Sequence, residues 1–461
     1  MRTKTMILAA GLALVSILPA RAQKQTPPEG SAPKDFTLPA RSTIILENGL
    51  RLTMVPYGTV PKVQIRAVVR AGNINEAANE VWLADLMGDL LKEGTTTRTA
   101  KQIARDAARL GGNVTVSVGD DQTSVTGDVL SEFAPEMAAL MADVLCNPAF
   151  PDSELARVKN DKLRELAIQK TDPNAIAVEK FRAVMYPDHP YGRVFPTEAM
   201  LSGYTIAQVR DFYAANFGAE RTHIFVAGKF DQKKMEDAVR KSFSGWTRGT
   251  PPATNVPKTS SKRAIHIVDR PGAPQSTVYI GLTVIDPSNP DYRALVLTNS
   301  LLGGSFASRI TSNIRENKGY TYSPGSMVSS RFRDAYWAEF ASVTTGVTGP
   351  AIKEILFEIN RLQESPPTAE ELLGFKNYLS GTFVLQNSNP GGIINQLVFL
   401  NLHGLPDSYL GEYVKAIHAV TPEQVQKMAQ TYLRDEEMVI VIAGDRKKIE
   451  KQLGAFGKIV G

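Results

Sequence analysis

One segment of this chain is written twice, and that repetition limits the folds open to it. Ala207-Gln208-Val209 leads through Phe212-Tyr213-Ala214-Ala215-Asn216-Phe217 to the apolar run 223–226 and then Ala227-Gly228. Glu423-Gln424-Val425 leads through Met428-Ala429-Gln430-Thr431-Tyr432-Leu433 to the run 438–442 and then Ala443-Gly444. Val209 to Gly228 and Val425 to Gly444 are the same interval of 19 residues, and the copies lie 216 residues apart. Solenoids repeat every 20 to 50 residues or so, so an offset near half the chain means a duplicated domain. At 461 residues the chain is also too long for one ordinary core. Residues 244–263 have the Pro, Gly, Ser and Thr content of a linker. The expected organisation is a signal peptide at 1–22, a flexible segment at 23–37, a first domain at 38–245, a linker at 246–261 and a second domain at 262–461.

Each half mixes strands and helices. Leu50 to Val55 and Val63 to Val69 carry the alternation and β-branching of strands, and Leu83, Leu86, Met87, Leu90 and Leu91 recur at helical spacing. Gly111-Gly112 followed by Asn113 to Val118 and Thr123 to Val129 reads as a turn and a hairpin. The second half repeats the order, with a strand at Thr277 to Val284, helices from Asp291 and Phe306, and a strand after Gly319. The expected fold class is α+β: two homologous domains, each a mainly antiparallel sheet covered by helices.

Composition excludes several classes. With 43% hydrophobic and 21% charged residues the chain is neither disordered nor a membrane bundle. The net charge of +5 is mostly local: Arg2, Lys4 and Arg21 lie in a stretch without Asp or Glu, and the rest carries 49 basic against 47 acidic residues. No nucleic-acid partner is implied. Arg2 and Lys4 precede an apolar run from Met6 to Leu18, and Ala20-Arg21-Ala22 forms a small-x-small cleavage site, the pattern of an exported protein. That run is too short for a comfortable membrane span. Cys146 is the only cysteine, so an exported chain would carry no internal disulfide.

Six short motifs appear in one order: Leu46-Glu47-Asn48-Gly49-Leu50, Val69-Arg70-Ala71-Gly72, Glu93-Gly94-Thr95, Leu110-Gly111-Gly112-Asn113, Asp188-His189-Pro190-Tyr191-Gly192 and Leu302-Gly303-Gly304-Ser305. Together they resemble the insulinase/pitrilysin family of zinc peptidases, and in particular its short, mitochondrial-processing-peptidase-like two-chain branch, across nearly the whole mature chain. The resemblance implies that the two domains form half of a clamshell. It also implies a zinc motif, His-x-x-Glu-His, on the helix before Gly94-Thr95, with two His sharing a helix face and a Glu activating water. Asp85-Leu86-Met87-Gly88-Asp89 stands there instead. Both His and the general base are missing. Asp85 and Asp89 share a face, and Glu165 lies near the expected distal ligand, which leaves two readings: a weak oxygen site for a hard cation, or a polar stripe opposite Leu83, Leu86, Met87 and Leu90. His189, His223, His266, His403 and His418 are scattered singly and offer no replacement ligand set.

In the second half, Arg315 and Tyr322 match the Arg/Tyr pair that family members bring to the zinc site from the C-terminal side. A guanidinium and a phenol can bind a peptide backbone and donate to the oxyanion of the tetrahedral state. The alternative is a helix-end cation before Gly319 and an ordinary strand aromatic; Tyr320 is a neighbour at the wrong spacing. The family's substrate-binding edge strand falls on Asn113 to Ser117, where Val114 and Val116 depart from the usual Asn-Ala-x-Thr pattern. The resemblance thus implies a zinc-less subunit with no cofactor of its own. Its expected partner is a homologous exported, periplasmic chain that carries the zinc motif, and its substrate a peptide or unfolded polypeptide. A peptide-binding scaffold and an autonomous hydrolase with unusual ligands are the competing functions.

Overall fold

Each half of the chain builds one sheet, and the two sheets have the same strand order. The computed structural model describes residues 36–259 and 261–460; the expected signal peptide and nearly all of 23–37 lie outside the described residues. The first sheet contains β1 (Ser42–Ile45), β2 (Arg51–Pro56), β3 (Lys62–Val69), β4 (Val114–Val118), β5 (Thr123–Leu130) and β6 (Thr222–Gly228), ordered β1-β2-β6-β3-β5-β4. The second contains β7 (Ala264–Asp269), β8 (Gln275–Val284), β9 (Gly325–Arg331), β10 (Asp334–Thr344) and β11 (Val439–Gly444), ordered β7-β11-β8-β10-β9. Apart from β1 the orders coincide. In both, the last strand pairs parallel with the first, β6 on β2 and β11 on β7, and the remaining pairs are antiparallel.

Helices α1 (Leu83–Leu90), α2 (Asp152–Gln169), α3 (Pro173–Met185), α4 (Ile206–Asn216), α5 (Tyr292–Leu302), α6 (Pro390–His403) and α7 (Pro422–Tyr432) position the features of interest. The repeated sequence motif is the helix and strand that complete each sheet, α4 with β6 and α7 with β11. Both helices start at the same capping box: the Thr205 and Thr421 side chains accept from the backbone N–H of Gln208 and Gln424, whose side chains accept in return.

The central strands β6 and β11 are buried along nearly their whole length, whereas edge strand β4 alternates half-buried and exposed residues. Burial on both faces explains their continuous apolar runs, and the second cover comes from the other half of the chain. Helix α3 of the first half lays Ala177, Phe181 and Met185 against Tyr279, Tyr336 and Val441 of the second sheet. Helix α6 of the second half lays Ile393, Ile394 and Leu397 against Val55, Val68 and Phe225 of the first. Both begin with a proline at the first turn, where its missing N–H costs nothing, after an Asx cap: Asp172 accepts from the N–H of Asn174 and Asn389 from that of Gly392.

The hairpin turns interlock as well. Asp120, between β4 and β5, accepts from Arg182 Nη2 at 2.7 Å and from Arg331 Nε at 3.0 Å. Asp121 accepts from the Tyr191 hydroxyl at 2.6 Å and the Phe332 N–H at 3.1 Å. Burial pushes the Asp120 carboxyl up, but the two guanidiniums outweigh it and hold the group below its ordinary range. The Arg331 guanidinium also lies over the rings of Tyr191 and Tyr336.

Two local expectations shift. The helix expected from Phe306 starts at Arg309, because Ser308 is held extended, and it passes at once into a π-helical segment, Ser312–Asn317. The strand expected after Gly319 begins only at Gly325. Residues 244–259 and 261–263 carry no helix or strand, yet Trp246 is buried in the first core and Arg221 binds the Thr250 and Pro251 carbonyls. Because each half covers the other, Phe181→Ala is expected to cost about 3–5 kcal/mol and to leave a single unfolding transition; separate melting of the halves in calorimetry would show that the exchange does not couple them.

Candidate functional site

The helix at the motif position is held from its N-terminal side. Trp82 precedes α1 in a left-handed conformation, φ 66°, with its indole N–H donating to the Val194 carbonyl at 2.9 Å. Glu76 caps this helix start: its Oε1 accepts from the Ala84 N–H at 2.9 Å and from Asn73 Nδ2 at 3.1 Å. Asn73 Nδ2 also donates to Asp85 Oδ2 at 2.7 Å. Burial pushes Glu76 up to about 8, with Asp85 adding to the rise and the hydrogen bonds opposing it. Burial raises Asp85 too.

Asp89 and Glu165 do converge, but on an ammonium group. Lys162 of α2 places Nζ 3.1 Å from Asp89 Oδ2 and 3.0 Å from Glu165 Oε2. Its side chain is 12% exposed and its ammonium lies 5.7 Å from the Trp82 ring centre. Burial alone would lower this amine; the charges and hydrogen bonds of Asp89 and Glu165 raise it instead. Lys162 therefore holds the positive charge that a cation would bring. Zinc does not fit these residues: both imidazoles are missing, and a Cβ at Gly88 would lie 2.6 Å from Val118 Cγ2, so β4 fills the space of the absent base. Among the described residues no group of three or more His, Cys, Asp or Glu stands where it could hold a metal ion. The hard-cation reading of Asp85, Asp89 and Glu165 is replaced by an internal ion-pair cluster. The simple polar stripe changes with it, since Asp85 is tied to Asn73.

Along β4, Thr115 and Ser117 are exposed while Val114, Val116 and Val118 pack toward the core. Among the described residues the outer edge of this strand has no strand neighbour.

In the second half the π-helical segment carries Arg315 into an open cavity of about 420 Å³, lined by Gly303, Gly304, Phe306, Tyr322, Ser326 and Tyr378 among others. The Arg315 guanidinium stacks 4.2 Å from the Phe306 ring centre and 5.1 Å from that of Tyr322. Phe306 is 71% and Tyr322 82% exposed, whereas the Arg315 side chain is only 21% exposed. Its nearest carboxylate, Glu316 Oε1, is 3.5 Å away. Tyr320, by contrast, packs against the second core, and Gly319 at φ 64° turns the chain between them. The structure thus brings Arg315 and Tyr322 together, adds Phe306, and puts Lys162 among Asp85, Asp89 and Glu165. Lys162 was legible only as a residue three before Glu165 on one helix face.

The arrangement can be set beside known proteins. Residues 55–195 match the family described as Insulinase (Peptidase family M16), and residues 203–379 match Peptidase M16 inactive domain. An uncharacterised zinc protease of Mycobacterium leprae is 27% identical over 88% of this chain and 93% of its own length, and one of Rickettsia felis is 26% identical over 74% and 82%. A solved M16 inactive-domain structure from Pseudomonas fluorescens superposes with a TM-score of 0.82 at 25% identity, covering 88% of this chain and 98% of that one. A protease structure from Helicobacter pylori gives 0.82 at 18% identity, covering 88% and 100%.

Two expectations follow. The unfolded Glu76 carboxyl ionises near 4.5 and the folded one near 8, so the folded chain holds an extra proton between those values. The stability this supplies is complete below the lower value and disappears as pH rises through the higher. Denaturant midpoints should fall between about pH 5 and pH 9, and Glu76→Gln should flatten that decline. Separately, the triple variant Asp85→His, Gly88→Glu, Asp89→His should bind zinc poorly, because the Lys162 ammonium stays at that position and engages Glu165; adding Lys162→Ala should raise zinc affinity, measured by competition with a chelating dye.

Proposed function

The chain belongs to the insulinase (M16) family of zinc peptidases, and from that premise we propose that it is the zinc-less subunit of a two-chain peptidase, supplying Arg315 and Tyr322 to a site whose metal is held by its partner. The observation that carries this reading is the contrast between the halves. In the first half an ammonium and a valine fill the place of metal and base. In the second, a guanidinium lies near the rings of Phe306 and Tyr322 at an open cavity, its Nε 3.5 Å from Glu316 Oε1 and the Tyr322 phenol beside it.

The chemistry follows from those groups. Arg315 offers a planar fork of donors and Tyr322 a hydroxyl, suited to a peptide carbonyl and to the negative charge that develops on its oxygen during hydrolysis. Stacking fixes the guanidinium plane before substrate arrives, so little is lost in ordering it. The proposed partner is a homologous exported chain with His-x-x-Glu-His and bound zinc, the complex working in the periplasm on peptides or unfolded polypeptides. A peptide-binding scaffold is the second reading, favoured by the open edge of β4.

Peptidase assays on a quenched peptide library separate them. This chain alone should be inactive and zinc-free by mass spectrometry, and addition of a zinc-motif partner should raise the partner's activity strongly. Arg315→Ala in this chain should remove about 3 kcal/mol of that gain, or two orders of magnitude in rate. Full activity with Arg315→Ala would leave the scaffold reading; activity of this chain alone would refute both.

A further inference from the structure

Beneath the Arg315 cavity lies a carboxyl that nothing else in the fold uses. Glu339 sits mid-strand in β10, beside Ser326 of β9 and Ile280 of β8, and is 0% exposed. Apart from a weak approach of the Gly325 N–H, neither carboxyl oxygen has a partner. Gly303 and Ser326 both line the cavity and both adjoin Glu339. A Cβ at Gly303 would stand 2.4 Å from Glu339 Oε2. The glycine that ends α5 is therefore what lets the carboxyl reach the underside of the cavity wall.

Core packing does not require this residue. The corresponding antiparallel ladders align the two sheets: Ile224 of β6 faces Ala67, and Ile440 of β11 faces Ile280. Ala67 pairs with Val125, and Ile280 pairs with Glu339. The first half thus has a fully buried valine where the second has a carboxyl. A buried polar group left without a partner destabilises the fold.

We propose that Glu339 is the floor of a subsite that takes a cationic group of the bound peptide, an ammonium or a guanidinium, beside Arg315 and Tyr322. This rests on the reading that the cavity binds peptide. Phe306, Phe340 and Tyr378 line the same cavity. Gly303, whose side-chain position the carboxyl oxygen occupies, separates Glu339 from the cavity, and the subsite requires that this turn shift when the peptide binds. Burial holds Glu339 well above the ordinary carboxylate range; a cation that reaches it draws the ionised form, and one proton leaves to solvent.

Calorimetry on the full chain tests this with hexapeptides that differ only in lysine against norleucine, each free or N-acetylated, in two buffers of different ionisation enthalpy. The lysine peptide should bind about tenfold tighter and release close to one proton. Glu339→Gln, and Glu339→Val in imitation of Val125, should abolish both effects and leave norleucine binding intact. If acetylation rather than norleucine removes the preference, the ammonium is the peptide N-terminus and the subsite stands. Equal affinities for all four peptides, or a preference that survives in both variants, would overturn the subsite alone; no binding of any peptide would overturn the peptide-binding reading with it.

Discussion

The exchange of α3 and α6 between the halves is the constraint on which the rest depends. Neither central sheet is covered on both faces by its own half: Tyr279, Tyr336 and Val441 need Phe181 and Met185, and Val55, Val68 and Phe225 need Ile393 and Leu397. An apolar sheet face left in water would forfeit about 25 cal/mol for each Å² exposed. Neither half is therefore complete without the other. The buried pairing of Asp120 with Arg182 and Arg331 then fixes how the two hairpin turns meet, since a charge at such depth is tolerated only when paired.

Within that frame the two halves have diverged in chemistry while keeping their topology. The first carries an ion-pair cluster around Lys162 and packs Val118 over Gly88. The second keeps an open cavity at the end of α5, with Arg315 oriented by two rings and Glu339 one layer below. The Arg315–Tyr322 pair and the unpartnered Glu339 carboxyl thus lie together in the second half. A helper subunit accounts for both changes.

Much of this was readable in the residues, because local rules and the global fold agree there. The 216-residue offset reappears as equal strand orders, and Thr205-x-x-Gln208 and Thr421-x-x-Gln424 form the same cap. The seven-residue spacing of Arg315 and Tyr322 selected the exposed tyrosine over Tyr320, which packs against the second core. The helix exchange was not legible, because α3 and α6 contact partners far away in the sequence and no local pattern records such a contact. Lys162 was missed because a lysine among helix carboxylates reads as a solvated face until α2 is packed on α1. Glu339 lies in a short mixed run, Ala338-Glu339-Phe340, whose alternation gives no sign of which face is buried. The π-helical segment that aims Arg315 likewise has no signature in sequence.

The central claim is that the Arg315 face meets the zinc-bearing half of a partner, and a photo-cross-link tests it most directly. Phe306→benzoylphenylalanine places a reactive group on an exposed side chain that already touches Arg315. With the zinc-motif partner present, illumination should link position 306 to the partner's metal-binding half, and a non-cleavable peptide should compete. Efficient complex formation with no link to that half, or a link that peptide leaves untouched, would contradict the account.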